Sequence, residues 1–353
     1  MKAAQLYKYD QEMNVDLVVE TVPEPTINAA DEVIVHVGAA GLCRTDLHII
    51  EGVWRSAMDP ENSLLPYIMG HENAGWVEAV GNGVKSVKPG DAVICHPLRS
   101  CGVCSGCRRG EDMYCDNALF PGLGLNGGFA EYLLTNERAL IKLNENVVPL
   151  DVAPMADAGI TAYRVAKRAA RILDPGSYCV VFGVGGLGHI AMQCLRELCS
   201  TRIIAVDSSP GARDLAKELG AYRVVDSGPN VVEEVKELTG GGAHAVIDFV
   251  AELGAEQLCW QMLRRGGTHF VVGYGGKIEV PTVHMIMNEI SIAGSLVGNY
   301  LELVELNAQG RVNMSFREYS LDNINTALTD LKNRSFIGPG VIVPQRQRLG
   351  RSP

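Results

Sequence analysis

Short apolar runs separated by turn residues mark roughly the first 150 positions of the chain: DEVIVHVGAAGLC, GWVEAVGNGV, VKPGDAVICH and GGFAEYLLT. Such runs, bounded by Gly, Pro and Asn, suit the strands of a small, partly closed all-β domain. Gly81-Asn82-Gly83 and Lys88-Pro89-Gly90-Asp91 are turn signals with a mechanism, since glycine supplies positive φ and proline presets the first dihedral of a turn. The period then changes. ITAYRVAKRAARIL, 160–173, places apolar residues at helical spacing with basic residues on the other face, and it stops at Asp174-Pro175-Gly176.

Beyond that turn, strand and helix patterns alternate: SYCVVFG, HIAMQCLREL, TRIIAVD, DLAKELG, YRVVD, VVEEVKELT, HAVIDFV, a helix near 254–265, GTHFVVGY and EISIAGS. Six short apolar strands with amphipathic helices between them predict an α/β unit with a doubly wound parallel sheet over residues 158–296. The β-rich unit covers 1–157. Residues 297–345, including REYSLDNINTALTDLKN, are expected to return and complete it, because one helix and a short strand cannot form a core alone. The closing QRQRLGRSP is polar and basic and is expected to be disordered or an appended tail.

At 353 residues the chain has room for two cores, and 47% hydrophobic with 20% charged residues describes an ordinary globular protein. A net charge of -10 without a Lys/Arg block argues against a nucleic-acid partner. MKAAQLYKYD lacks a continuous apolar region and does not read as a secretory signal. The longest uncharged stretch, Ser177 to Leu195, holds four glycines plus His189 and Gln193, so it does not read as a membrane span. Ten cysteines in such a chain suggest reduced thiols, some of them metal-bound, and a cytoplasmic setting.

Cys101, Cys104, Cys107 and Cys115 follow the spacing Cys-x2-Cys-x2-Cys-x7-Cys in a Gly-, Ser- and Arg-rich stretch. Two-residue gaps let one chain wrap thiolates round a tetrahedral zinc, and four thiolates leave no open coordination position, so the site is structural. Gly183, Gly185 and Gly188 form Gly-x-Gly-x-x-Gly at a strand-to-helix junction, with Gly186 and Leu187 completing the loop. The first glycine makes the turn, the second admits a pyrophosphate, the third lets the helix pack, and helix N–H groups face the phosphates. Asp207 ends the next strand, nineteen residues after Gly188, where a carboxylate can bind an adenosine ribose 2'-OH and repel a 2'-phosphate. NAD is therefore expected over NADP.

Two further ligand candidates precede the four-Cys loop, Cys43 in GLCRTDLH and His71 in MGHENAG. From the GHE element through the four-Cys loop to GVGGLG, the chain resembles the zinc-dependent alcohol dehydrogenases of the medium-chain dehydrogenase/reductase superfamily over nearly its whole length. The resemblance implies a GroES-like catalytic domain joined to a Rossmann domain, with two zinc ions per chain. It implies that Cys43, His71 and Asp157, in PMADAGITAYR, hold the catalytic zinc, leaving a fourth position for water or substrate. Glu72 matches a transient ligand behind the metal, and Asp46 a carboxylate that fixes the His71 ring. Thr45 matches a hydroxyl beside the metal, and His48 the solvent-side end of a proton relay. Arg44 matches a contact to the cofactor pyrophosphate. Many relatives carry a second phosphate-binding Arg near the C-terminal strand, where this chain reads Phe336-Ile337-Gly338-Pro339-Gly340.

Approximate alignment places Trp54, Leu98, Phe120, Leu123 and Leu296 along an apolar substrate pocket. The implied reaction is reversible oxidation of a primary or secondary alcohol by NAD+, with a polyol dehydrogenase or a non-catalytic relative of the same fold as rivals. The resemblance also implies a homotetramer, since the chain lacks a long insertion near the structural loop.

Overall fold

The computed structural model describes residues 1–299 and 301–345, apart from the side chains of residues 57 and 301. The expectation for QRQRLGRSP falls, beyond Gln345, outside the described residues. The chain divides into two compact units: residues 1–158 with 298–309 and 314–345, and residues 159–297 with 310–313. The segment 310–313 departs from its expected place in the first unit. Asn313 N–H donates to Gln193 Oε1 at 2.9 Å, Gln193 Nε2 donates to the Asn313 carbonyl at 2.9 Å, and Arg311 pairs with Glu197. These contacts tie it to the helix Gly188–Leu198 of the second unit.

The first unit holds a three-stranded and a seven-stranded sheet. Its organising element is the strand Glu32–Leu42, buried at almost every position and rich in Val, Ala and Gly. It pairs antiparallel with Glu72–Val80, with Tyr132–Asn136 and with the late strand Gly340–Val343, which is how the end of the chain completes this unit. Two register shifts, at Ile34/Val35 and Val37/Ala39, interrupt its ladder with Glu72–Val80. The register sets Gly41 opposite Glu72. Cys43 and His71, each just past or just before a paired residue, are therefore carried to neighbouring strand ends. Val33, Val35, Val37, Phe129 and Ile342 belong to the core beneath them.

The second unit is a six-stranded parallel sheet. Numbered in chain order, its strands run Tyr178–Phe182, Arg202–Val206, Arg223–Val225, Ala243–Asp248, Leu263–Val271 and Ser291–Gly294, and they lie across the sheet as 3-2-1-4-5-6. That is the dinucleotide-binding order, in which ligands sit at the carboxyl ends where the winding reverses. Val180, Val181, Val246 and Ile247 are fully buried, as expected of strands covered on both faces. The helix expected over 160–173 spans Ala158–Ala170, with Arg171 and Ile172 already in the turn that follows it. The helix expected near 254–265 ends at Gln261, because Leu263 opens the next strand by pairing with Ala243. Sheet pairing here overrides a local helical pattern. Among the described residues no helix is long and apolar enough to cross a membrane.

Candidate metal centres and nucleotide loop

Cys43 is the extended residue that caps the helix Arg44–Ile50 where it leaves the central strand. Its N–H donates to Asp46 Oδ2 at 2.9 Å, so the carboxylate of the first helical turn is held in place by backbone. The other oxygen, Asp46 Oδ1, stands 3.2 Å from His71 Nδ1. With that nitrogen facing a carboxylate, His71 Nε2 is aimed the other way, where Asp157 Oδ2 lies 3.4 Å from it. Asp157 sits between the short turn Ala153–Ala156 and the helix Ala158–Ala170. Glu72 Oε1 accepts the Ala158 N–H at 3.1 Å, while its Oε2 is buried with no partner. A side chain at position 41 would meet that oxygen at 2.1 Å, so only glycine lets Glu72 stand here.

Ligand atoms of Cys43, His71, Glu72 and Asp157 all lie within 4.8 Å of one another. Burial raises the pKa of the Cys43 thiol, with the Glu72 and Asp157 carboxylates adding to the shift. Burial likewise pushes the Glu72 carboxyl well above the usual range. For His71 burial opposes the charge, but the Asp46 and Asp157 carboxylates prevail and the pKa rises well above its ordinary value. Acidic groups and an imidazole crowded in a water-poor site call for a compensating cation. A divalent zinc fits a thiolate, an imidazole and a carboxylate, with the orphaned Glu72 oxygen in reserve.

The four cysteines converge as well. Cys104 and Cys107 Sγ are 3.5 Å apart, and Cys101 and Cys107 Sγ 4.0 Å. Backbone N–H groups aim at the sulfurs, Cys104 at Cys101 Sγ (3.4 Å) and Cys101 at Cys115 Sγ (3.2 Å). N–H groups of Val103 and Cys104 lower the Cys101 pKa to about 6, whereas burial pushes the Cys107 thiol up to about 12. Thiolates in such a setting bind zinc without an open position. Arg138, which the Cys spacing gave no reason to single out, clasps the loop: it donates to the Cys107 carbonyl at 2.9 Å and to Asp112 Oδ1 at 2.8 Å.

In the second unit Gly183 turns the chain at φ 89°. A Cβ on Gly188 would meet the Gly183 carbonyl oxygen at 1.9 Å, which fixes the third glycine, while Gly185 and Gly186 face open space. Leu187 caps the helix Gly188–Leu198. Asp207 follows the strand Arg202–Val206, and its carboxylate accepts the Val184 N–H (2.8 Å) and the Ser209 N–H (2.8 Å). It is thus anchored to the glycine loop itself. His189 Nδ1 lies 2.7 Å from the Gly185 carbonyl, a second clamp on the loop.

The remaining expected residues fall as follows. Thr45 is half-buried and Arg44 exposed on the helix Arg44–Ile50. His48, expected at the solvent end of a relay, is only 7% exposed. Phe120 is half-buried, with its ring centroid 5.7 Å from that of His71 and edge-on to it. Trp54 is half-buried against the first core, Leu123 belongs to that core, Leu98 is buried, and Leu296, in the second unit, is 58% exposed.

Residues 29–145 match the family model for the alcohol dehydrogenase GroES-like domain, and 186–309 the model for zinc-binding dehydrogenases. The chain is similar to the crystal structure of the alcohol dehydrogenase from the hyperthermophilic archaeon Aeropyrum pernix, with a TM-score of 0.93, 43% identity, and 98% of this chain and 100% of that chain covered. An NAD-dependent alcohol dehydrogenase of Sulfolobus acidocaldarius is 34% identical, covering 97% of this chain and 99% of the relative. A D-arabinose 1-dehydrogenase (NADP(+)) of Saccharolobus solfataricus is also 34% identical, over 97% of each.

Proposed function

Because the chain belongs to the zinc-type alcohol dehydrogenases of the medium-chain dehydrogenase/reductase superfamily, we propose that it oxidises primary or secondary alcohols reversibly to aldehydes or ketones with NAD+ as hydride acceptor. The observation that carries this is the convergence of Cys43, His71 and Asp157, with Asp46 behind the His71 ring. Zinc bound there would supply Lewis-acid stabilisation of the negative charge that develops on the alcohol oxygen. The four-Cys loop would hold a second, structural ion.

The chain's own groups supply the rest. Asp46 fixes the His71 ring so that Nε2 faces the ligand set. Thr45 and His48 are three residues apart and share one side of their helix, which suits a proton route from the site through a hydroxyl to an imidazole. Glu72 serves as the reserve ligand. Phe120 beside His71, with Trp54, Leu98 and Leu123 of the same unit, favours apolar aliphatic or aromatic alcohols over polyols, which need polar groups to pair several hydroxyls. Arg44 is assigned to the cofactor phosphates.

Asp207 decides the cofactor. One relative is named for NAD and another for NADP, and a carboxylate anchored at the glycine loop repels a 2'-phosphate. The test is steady-state kinetics of zinc-loaded protein over linear, branched, aromatic and polyhydroxy alcohols with each cofactor. NAD+ and apolar alcohols are expected to win, and Asp207→Ala to narrow the NAD+ over NADP+ preference about tenfold or more. No turnover with any alcohol would end the proposal, and a preference for polyhydroxy substrates would replace the simple alcohols with polyols.

The assembly is proposed as a homotetramer in a reducing, cytoplasmic setting that suits ten unbridged cysteines. Val283, Ile286 and Met287 stand exposed on the helix Thr282–Asn288, just before the edge strand Ser291–Gly294. Exposed apolar residues by an unpaired edge favour self-association. Light scattering is expected to give the mass of four chains, and a monomer would contradict it.

A further inference from the structure

Asp248, Cys259 and His269 lie in the second unit, and all three are fully buried. None belongs to the metal ligands or the glycine loop. Asp248 closes the strand Ala243–Asp248, paired on one side with Phe182, the residue before Gly183, and on the other with Val271. It therefore stands under the carboxyl ends of the central strands.

Every acceptor on Asp248 is used. Its main-chain carbonyl takes the N–H groups of Val272 (2.9 Å) and Gly273 (3.1 Å). Its Oδ1 takes those of Val250 (2.9 Å) and Ala251 (2.8 Å), and its Oδ2 lies 3.3 Å from His269 Nε2. The Cys259 sulfur completes the cluster within 4.8 Å, and burial, with the Asp248 carboxylate adding to it, keeps that thiol protonated as a donor. The turn that Asp248 holds is strained: Ala251 at φ 45° and Leu253 at φ 56° are left-handed without being glycine. It also abuts the nucleotide loop, since a Cβ on Gly183 would meet Val250 Cγ2 at 2.8 Å. From Gly254 the chain enters the helix Ala255–Gln261, which carries Cys259 back to the cluster.

A thiol, an imidazole and a carboxylate could also hold a metal, but the local chemistry disfavours it. A ligating imidazole turns its other nitrogen towards an acceptor, as His71 Nδ1 lies 3.2 Å from Asp46 Oδ1, whereas His269 Nδ1 is buried with no partner. Among the described residues no fourth donor joins the set. A ring donating from Nε2 to Asp248 leaves only a bare lone pair at Nδ1 unpaired, the cheaper arrangement.

We propose that Asp248, His269 and Cys259 form a buried positioning network that holds the 249–254 turn against the glycine turn and so sets the affinity of the second unit for its dinucleotide. The affinity part rests on the NAD reading above. Full-length, zinc-loaded His269→Leu is compared with His269→Gln, which keeps a donor near the place of Nε2, and with Cys259→Ala should His269→Leu not fold. Amide hydrogen exchange over 249–254 is read without cofactor, NADH binding by fluorescence titration, and metal content by mass spectrometry.

In His269→Leu, exchange is expected to speed up and NADH to bind weaker, each about tenfold, while His269→Gln stays within about twofold of the parent and metal content is unchanged. Equal behaviour of the Leu and Gln variants would overturn the network. Loss of one ion per chain in His269→Leu would make the cluster a metal site and overturn it equally. A parent that binds no NADH would sink the dinucleotide reading instead, and the exchange comparison would still decide whether the network holds the turn.

Discussion

Asp157→Ala is expected to lower kcat/KM for alcohol oxidation by about a thousandfold or more, since a catalytic metal supplies several kcal/mol of charge stabilisation, while the Kd for NADH stays within about twofold. The two readouts separate because Asp157 lies in the first unit and the glycine loop in the second. Removing the carboxylate leaves Cys43 and His71 as two donors, with Glu72 the remaining oxygen within reach. Metal content should fall from two ions per chain towards one, because the four-Cys loop is independent. A variant that keeps full activity would place the third ligand elsewhere, with Glu72 first in line through its unpaired Oε2. A variant that loses activity and NADH binding together would point to collapse of the fold around the Ala158 N–H that anchors Glu72.

Features written in local spacing are legible in the amino-acid sequence alone. The four-Cys loop, the glycine turn with Asp207, and the six strands between helices each depend on residues close in sequence, and each reads directly. The proposed catalytic ligands are different. Cys43, His71 and Asp157 meet only because the pairing of Gly41 with Glu72 aligns two strand ends and the turn Ala153–Ala156 delivers a third segment. No periodicity encodes that register, so the resemblance to known enzymes supplied it. Elsewhere long-range contacts overrode local signals. Leu263 left a helical pattern for the strand beside Ala243, and Asn313 joined the second unit through Gln193. His48, expected at the solvent-side end of a relay, is buried. Arg138 and the Asp248 cluster carried no signal at all, because their partners are remote in sequence and each residue alone passes for an ordinary strand, helix or core position.

Cys107→Ser is expected to have the largest effect on stability. Cys107 is buried, and its sulfur lies 3.5 Å from Cys104 and 4.0 Å from Cys101, so it is the inner donor of the set. A serine hydroxyl is a poor zinc ligand, and metal binding at a closed site is itself folding energy for the loop it orders. Losing a structural metal ranks among the few single changes that cost more than about 4 kcal/mol, which for a protein of this size corresponds to a fall in Tm of about 5 °C or more. Without the ion, the backbone N–H groups of Cys101 and Cys104 lose the thiolates they face, and Arg138 is left holding Asp112 and the Cys107 carbonyl alone. Calorimetry and metal analysis on one preparation check this together: one ion per chain, retained at the Cys43 site, and early melting. A variant that keeps two ions and the parent Tm would show that the four thiols stabilise the loop by packing and hydrogen bonding, with no metal among them.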